Sequence, residues 1–274
     1  ELFNIADNIS GPYKKDGNIT IMKSGYLPHI EHTKNLSVID VLSIKNRNFT
    51  VVVDAVNGAA SLALPKMMES LGCKVYYLNC KPDGYFPRGT EPIPDHLIKL
   101  SEIVVQKNAD VGFATDPDGD RLAVVDENGH ALGEEYTLTI CADGLLKSTG
   151  SNLPLVTNLS TTISLDRIAE NYGNSVLRTA VGEINVVEKM KECNALLGGE
   201  GNGGIILSES HYGRDSLVGA TLFLNRMAQG HQTVSQIFES MPQFVMLKDK
   251  IELGSLDAQS AFEKIQTIFP GAET

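Results

Sequence analysis

The apolar positions fall in short blocks, set apart by glycine, proline and asparagine, and the blocks alternate between strand-like and helix-like spacing. Thr50-Val-Val-Val-Asp54 is β-branched and uninterrupted, which predicts a strand buried on both faces. Asn57-Gly58-Ala59-Ala60 turns the chain, and residues 61–71 predict a helix that Gly72 stops. Residues 74–78 predict the next strand. A loop rich in glycine and proline covers 83–94, and Asp95 is expected to cap a helix reaching about residue 107. Strands follow at 110–114 and 122–126 with an aspartate-rich loop between them, and 134–147 is helical. Ahead of this unit, residues 1–40 are polar and irregular, although 26–42 carries enough apolar periodicity for a helix.

The order then repeats. Residues 155–157 predict a strand, 158–162 a turn, 163–172 a helix, and 175–178 a strand after Gly173-Asn174. A helix over 183–194, a short strand at 195–197, a glycine-rich loop and a strand at 205–207 come next. Asp215 is expected to cap a long apolar helix to about residue 229. The turns at 54–58 and 158–162 occupy equivalent places in the two runs. The pattern therefore predicts an α/β fold of two consecutive, similar mixed-sheet domains with helices on both sheet faces. From about residue 244 it changes to a strand and then a helix over 258–268, as though another domain were beginning.

Composition narrows the function classes. A chain of 274 residues buries a sizeable core, and its net charge of −11 argues against sequence-independent binding to nucleic acid or to an anionic membrane. An anionic substrate must then meet locally placed basic groups, a metal or backbone amides. Cys73, Cys80, Cys141 and Cys193 form no CxxC pair and read as reduced thiols of a cytoplasmic protein. Neither a signal peptide nor an apolar run long enough to span a bilayer is visible. The chain starts at Glu1 without methionine and stops after Gly271 with no closing element, so it is expected to be a piece of something longer.

The densest chemistry is Asp116-Pro-Asp-Gly-Asp-Arg121. In extended backbone, carboxylates at i, i+2 and i+4 converge on one point. Two of them about 4 Å apart repel by roughly 4 kcal/mol at an effective dielectric near 20, so Asp116, Asp118 and Asp120 together call for a cation. Hard oxygen ligands favour Mg²⁺ or Ca²⁺ over zinc or copper; the plain alternative is a solvated acidic turn. A calcium EF-hand is the nearest rival, since Glu127 stands twelfth from Asp116. It fails because the sixth position holds Arg121 where glycine is needed, and because strands flank the loop. Arg121 would repel a bare cation. It makes sense where a phosphate bridges the two, or else as a partner that neutralises the aspartates.

The second loop, Gly198-Gly-Glu-Gly-Asn-Gly-Gly204, is neither a Walker loop nor a G-x-G-x-x-G turn before a helix. It presents Glu200 and Asn202 on glycines, a pairing that suits the hydroxyls of a polyol, unless the loop is simply a structural turn. Arg88-Gly-Thr-Glu-Pro92 lies in a proline-studded connection and reads as a linker rather than a phosphate loop. No histidine and carboxylate spacing points to zinc, since HExxH is absent and His29 and His32 lie in the irregular leader. No G-x-S-x-G elbow supports a serine nucleophile.

Asp116-Pro-Asp-Gly-Asp-Arg121 with Gly199-Glu-Gly-Asn-Gly-Gly204 about 80 residues on resembles the α-D-phosphohexomutase superfamily of phosphoglucomutases, phosphomannomutases and phosphoglucosamine mutases. Val53-Asp-Ala-Val-Asn-Gly58, Asp83-Gly-Tyr-Phe-Pro87 and Arg178-Thr-Ala-Val-Gly-Glu183 are also similar to family segments. Members have four domains around a cleft. The resemblance implies residues 1–40 as the tail of the first domain and linker, 41–149 as the second, 150–240 as the third and 241–274 as the start of the fourth. It further implies that Asp116, Asp118 and Asp120 hold Mg²⁺ beside a phosphoserine whose phosphate Arg121 contacts. Glu200 and Asn202 would grip sugar hydroxyls, with Gly182, Glu183 and Asn185 lining the sugar side of the cleft. The implied activity interconverts hexose 1-phosphate and hexose 6-phosphate through a bisphosphate intermediate, with a phosphosugar as partner and no nucleic acid or membrane. The family's serine loop (Thr-Ala-Ser-His-Asn-Pro) and fourth-domain phosphate loop (Arg-Pro-Ser-Gly-Thr-Glu-Pro) are absent, so these residues alone are expected to be inactive. Asn202 and Gly204 stand where many members have serine and histidine, which leaves the sugar open between phosphoglucomutase or phosphomannomutase and phosphoglucosamine mutase. A cation-binding module without catalysis is the remaining alternative.

Overall fold

A computed structural model describes residues 22, 24–246 and 257–270. Strand β1 (Thr50–Asp54) forms where β-branched residues run together, and Val51, Val52 and Val53 are fully buried. It pairs in parallel with β2 (Lys74–Leu78) and β3 (Val111–Thr115), in register Val52 to Tyr76 and Val52 to Gly112. β4 (Leu122–Val125) closes the sheet antiparallel to β3, giving the order β2-β1-β3-β4. The second sheet repeats this arrangement with β5 (Leu155–Asn158), β6 (Val176–Thr179), β7 (Leu197–Glu200) and β8 (Gly204–Leu207) in the order β6-β5-β7-β8. Again the first three strands are parallel and the last antiparallel, so the duplicated, mixed-sheet architecture expected from the pattern is present.

Each sheet is covered on both faces. α4 (Ile98–Lys107) packs Leu100 and Val104 against Val52 on the outer face of the first sheet. α7 (Glu183–Cys193) packs Val186 and Met190 against Val156 on the outer face of the second. The inner faces share one apolar cluster. It runs from Ile30 in α1 (Leu27–Lys34) and Ile44 in α2 (Val41–Arg47), through Met67 in α3 (Ala63–Ser70), to Ile168 in α6 (Ser164–Asn171) and Ile237 in α9 (Val234–Ser240). Two long helices fill its centre, α5 (Glu135–Thr149) and α8 (Ser216–Gly230). α8 lies in the second half of the chain yet packs on α1, α2 and α3, and α5 packs on β4 as well as β7 and β8. Phe113 of β3 meets Phe223 of α8 edge to face, with centroids 5.9 Å apart, so the packing crosses between the halves. Arg226 of α8 is paired with Asp143 of α5 inside this layer, where Tyr172 Oη donates to Asp143 Oδ1 at 2.8 Å.

Several boundaries depart from the sequence reading. Residues 26–42 form two helices, because Asp40 accepts from the Ser43 amide at 2.9 Å and starts α2 afresh. Asp95 caps nothing. Pro94–His96 forms a single 3₁₀ turn, and α4 begins at Ile98. The strand expected at 195–197 is β7 at Leu197–Glu200, since Asn194 (φ 54°) ends α7 left-handed and the Ala195 amide still bonds the Met190 carbonyl. α9 has no counterpart among the expected elements, although Thr233 and Gln236 form a reciprocal capping box at its start. The strand expected from residue 244 falls largely outside the described residues, whereas the helix after it is α10 (Ala258–Ile268).

The four cysteines are free; Cys73 and Cys141 are buried, and burial pushes the Cys73 thiol up to about 12. No helix among the described residues is long and apolar enough to cross a membrane. Because the core is shared, Phe223→Ala should cost about 3–5 kcal/mol and leave one cooperative urea transition in which both sheets unfold together. Two separate transitions in the parent chain would show that each sheet has a core of its own.

Candidate functional site

Both chemistry-bearing loops are the connections into the antiparallel fourth strand of their sheets. The aspartate loop joins β3 to β4, and the glycine-rich loop joins β7 to β8. The structure sets them side by side. The Leu122 amide donates to the Gly203 carbonyl at 3.0 Å, and Arg121 forms an antiparallel bridge with Gly204. Gly203 has φ +87°, and a Cβ there would strike the Leu122 carbonyl, so this seam needs glycine. On its other side the aspartate loop rests on the 54–58 turn, where the Ala59 amide donates to the Pro117 carbonyl at 2.8 Å. A Cβ at Gly58 would collide with that same carbonyl.

Asp116 is fully buried and organises the loop. Its Oδ1 accepts from the amides of Asp120 and Arg121, each at 3.1 Å, and its Oδ2 accepts from Arg121 Nε at 2.6 Å. Burial alone would raise its pKa, but the Arg121 amide and guanidinium outweigh that and hold it below the usual carboxylate range. Asp118 is exposed and its pKa is raised, first by desolvation and then by the Asp116 charge. Asp120 is pushed up to about 7, first by burial and then by Asp116. Its Oδ1 is buried without a hydrogen-bond partner. One oxygen from each of the three aspartates lies within 4.8 Å of the others. A hard divalent cation fits this set: it would take the orphaned oxygen and offset the burial and the Asp116 charge that together raise Asp118 and Asp120.

Arg121 turns its two terminal nitrogens to Glu91, with Nη2 at 3.1 Å from Oε1 and Nη1 on Oε2. Glu91 belongs to the proline-studded connection read as a linker. Arg88, three residues earlier, bonds Asp54 Oδ2 through Nε at 2.8 Å and the Thr115 carbonyl through Nη2 at 2.5 Å. Glu127, the twelfth-position residue of the rejected EF-hand, instead accepts from Ser235.

In the glycine-rich loop Glu200 is buried. Its Oε1 accepts from Asn158 Nδ2 at 2.7 Å, and its Oε2 from Arg214 Nη1 at 2.9 Å and Asn202 Nδ2 at 3.3 Å. Asn202 Oδ1 in turn accepts from the Gly204 amide at 3.1 Å. Gly182 (φ +124°) opens α7, and Glu183 Oε1 accepts from the Arg214 amide at 3.0 Å. Asn185 turns away, its Nδ2 bonding the Val181 carbonyl at 3.1 Å.

Sequence reasoning missed Arg214. Its guanidinium pairs with Asp120 of the aspartate loop, with Glu200 of the glycine-rich loop and with Glu183 at the head of α7. A lone arginine before a helix cap carries no spacing signal; only its partners reveal it. Asn158 and Thr161 were also missed, although they sit in the turn already matched to 54–58. Thr161 Oγ1 accepts from the Gly201 amide at 2.9 Å and so shapes the loop from below.

Two parallel-rich sheets whose fourth-strand loops meet at an acidic, arginine-pinned seam define a class of α/β proteins built from two similar domains. Comparison with known proteins narrows that class to a family. Residues 25–129 match the phosphoglucomutase/phosphomannomutase α/β/α domain II, and residues 133–244 match α/β/α domain III. The chain belongs to this family. A phosphoglucomutase/phosphomannomutase of Thermococcus kodakarensis is 40% identical over 224 residues, 81% of this chain and 48% of the relative. A probable phosphoglucosamine mutase of Pyrococcus horikoshii is 33% identical, over 81% of this chain and 49% of its own length. The crystal structure of a phosphoglucomutase/phosphomannomutase family protein from Burkholderia thailandensis superposes with a TM-score of 0.71 at 26% identity, covering 80% of this chain and 47% of its own. The chain thus spans about half the length of the curated relatives it matches.

Arg214→Leu should leave three carboxylates facing one another without their shared cation. Urea denaturation is expected to report a loss of about 3 kcal/mol, the low end for breaking a buried pair because the site's rim is open. Arg214→Lys should recover only part of it, since an ammonium cannot span three partners. An Arg214→Leu chain as stable as the parent would remove Arg214 from this role.

Proposed function

We propose that this chain forms the central two domains of a phosphohexomutase that interconverts hexose 1-phosphate and hexose 6-phosphate in the cytoplasm. The observation that carries the reading is the seam itself. An acidic cation site and a carboxylate–amide pair suited to hydroxyls are bonded to each other, so one sugar phosphate can reach both. The phosphoserine and the loop for the distal phosphate would come from domains of the parent protein outside these residues.

Mg²⁺ is the cation Asp116, Asp118 and Asp120 would hold; bound there, it would offset charge on a transferring phosphoryl group. The protein's own groups do the rest. Arg121 supplies a planar fork for phosphate oxygens once it lets go of Glu91, whose carboxylate occupies that fork and whose side chain is 46% exposed. Glu200 is held rigid by Asn158 and Arg214 and retains lone pairs for sugar hydroxyls, while Asn202 has a donor free beyond its long 3.3 Å bond to Glu200. Gly182 and Glu183 would bound the sugar side. Asn185 would shape the 180–182 loop rather than touch substrate, given where its amide points. A bisphosphate intermediate would turn over in the cleft so that either phosphate can face Arg121.

Phosphoglucosamine mutase is the second reading, supported by the P. horikoshii relative. Comparing kcat/KM of the intact parent on mannose, glucose and glucosamine phosphates separates the two. In the same assay Asp118→Asn is expected to lower kcat at least about 100-fold, as for loss of one charge-stabilising group. The 274 residues alone should give no turnover of glucose 1-phosphate. Normal activity in Asp118→Asn would sink the cation assignment, and turnover by the 274 residues would sink the dependence on absent domains. Tight Ca²⁺ binding well above Mg²⁺, with no mutase activity in the parent, would favour a cation-binding module instead.

A further inference from the structure

The sequence holds no histidine motif for a transition metal, yet folding assembles three such ligands away from the aspartate loop. His29 comes from α1, His211 from the loop after β8, and Asp215 caps α8. Asp215 Oδ2 lies 2.6 Å from His29 Nε2 and 2.9 Å from His211 Nε2. The three ligand atoms all lie within 4.8 Å of one another. Residues 182 positions apart thus aim their ring nitrogens at one carboxylate oxygen, which is why no spacing could disclose the cluster.

We propose that His29, His211 and Asp215 form a second metal site, for a borderline divalent ion of the Zn²⁺ class, distinct from the aspartate loop. Three features argue for it. The donor set is two imidazole nitrogens and one carboxylate oxygen, which suits Zn²⁺ and not the all-oxygen preference of Mg²⁺. The carboxylate is already oriented: Asp215 Oδ1 accepts from the amides of Leu217 and Val218 at 2.8 and 3.0 Å, leaving Oδ2 for the cation, as metal-bound carboxylates are characteristically supported. The site has a buried floor and an open rim. Asp215 is 8% exposed, while the side chains of His29 and His211 are 32% and 46% exposed, so an ion can enter and a fourth position faces solvent.

The present spacing is that of hydrogen bonds. Zinc ligands with bonds near 2.0–2.1 Å in tetrahedral array stand roughly 3.3 Å apart, so small rotations of two partly exposed rings suffice to admit the ion. Each ring would bind through Nε2, and the hydrogen it now presents to Asp215 would move to Nδ1 or to solvent. The site would tie α1, which precedes the first sheet, to the head of α8. Asp215 directly follows Arg214, so the tie would also steady the arginine that joins the two loops.

Calorimetric titration of the metal-free chain with Zn²⁺, in buffer holding excess Mg²⁺, tests the proposal. One equivalent should bind and raise Tm. His29→Ala and His211→Ala should each weaken binding at least about tenfold and abolish the rise in Tm, since losing a ligand costs no less than losing its supporting partner. Asp118→Asn should bind Zn²⁺ as the unaltered chain does. Co²⁺ in place of Zn²⁺ should give visible absorption that the histidine variants lose. Absence of Zn²⁺ binding, binding indifferent to His29→Ala and His211→Ala, or binding abolished by Asp118→Asn would each overturn the assignment. None of these results bears on mutase activity, which stands or falls on the assay of the intact parent.

Discussion

The guanidinium of Arg214 is the interaction on which the rest of the site depends. Asp120, Glu183 and Glu200 come from three separate connections and would repel one another if left alone. One planar cation, with donors pointing in several directions, satisfies all of them and so defines how close the two loops sit. The surrounding structure makes that position reproducible. Asp215, the next residue, caps α8 by accepting from the Leu217 and Val218 amides, and Ser216 Oγ donates to the Gly119 carbonyl of the aspartate loop at 2.5 Å. A residue that touches both carboxylate clusters also tunes them, because its charge is among the few influences lowering Asp120 against burial.

The shared core explains why such a site can exist between two domains at all. Composite sites lose precision if their halves move independently, and domain interfaces within a chain are commonly polar and mobile. Here α5 and α8 pack on elements of both sheets, and Phe113 and Phe223 interlock across the halves. The inner faces therefore behave as one packed interior. Motion needed to admit a ligand to the seam would have to come from elements outside this pair of sheets.

Much of the fold was legible because its signals are local. A run such as Thr50-Val-Val-Val-Asp54 has one comfortable environment, and the glycines and asparagines that stop helices act within a few residues. Boundaries failed where a side chain or a short turn overrode periodicity, as at Asp40 and at the 3₁₀ turn over Pro94–His96. Within the candidate site, Asp116, Asp118, Asp120, Glu200 and Asn202 could be picked out because glycine and proline present them in compact loops. Arg214, Glu91 and Asn158 could not, since each is defined by a partner 14 to 42 residues away or farther. Asn185 shows the converse: a polar residue in the right segment whose side chain is spent on its own turn.

The seam between Leu122 and Gly203, with its bridge from Arg121 to Gly204, is one rung that ties the loop of one sheet to the loop of the other. Even one rung has register. Lengthening the aspartate loop by one residue would slide Leu122 past its partner and turn alternate side chains to the wrong face, unless the glycine-rich loop changed to match. The two loops, nearly 80 positions apart, are thus tied in length, and insertions should be found in the outer connections of each sheet rather than in these two.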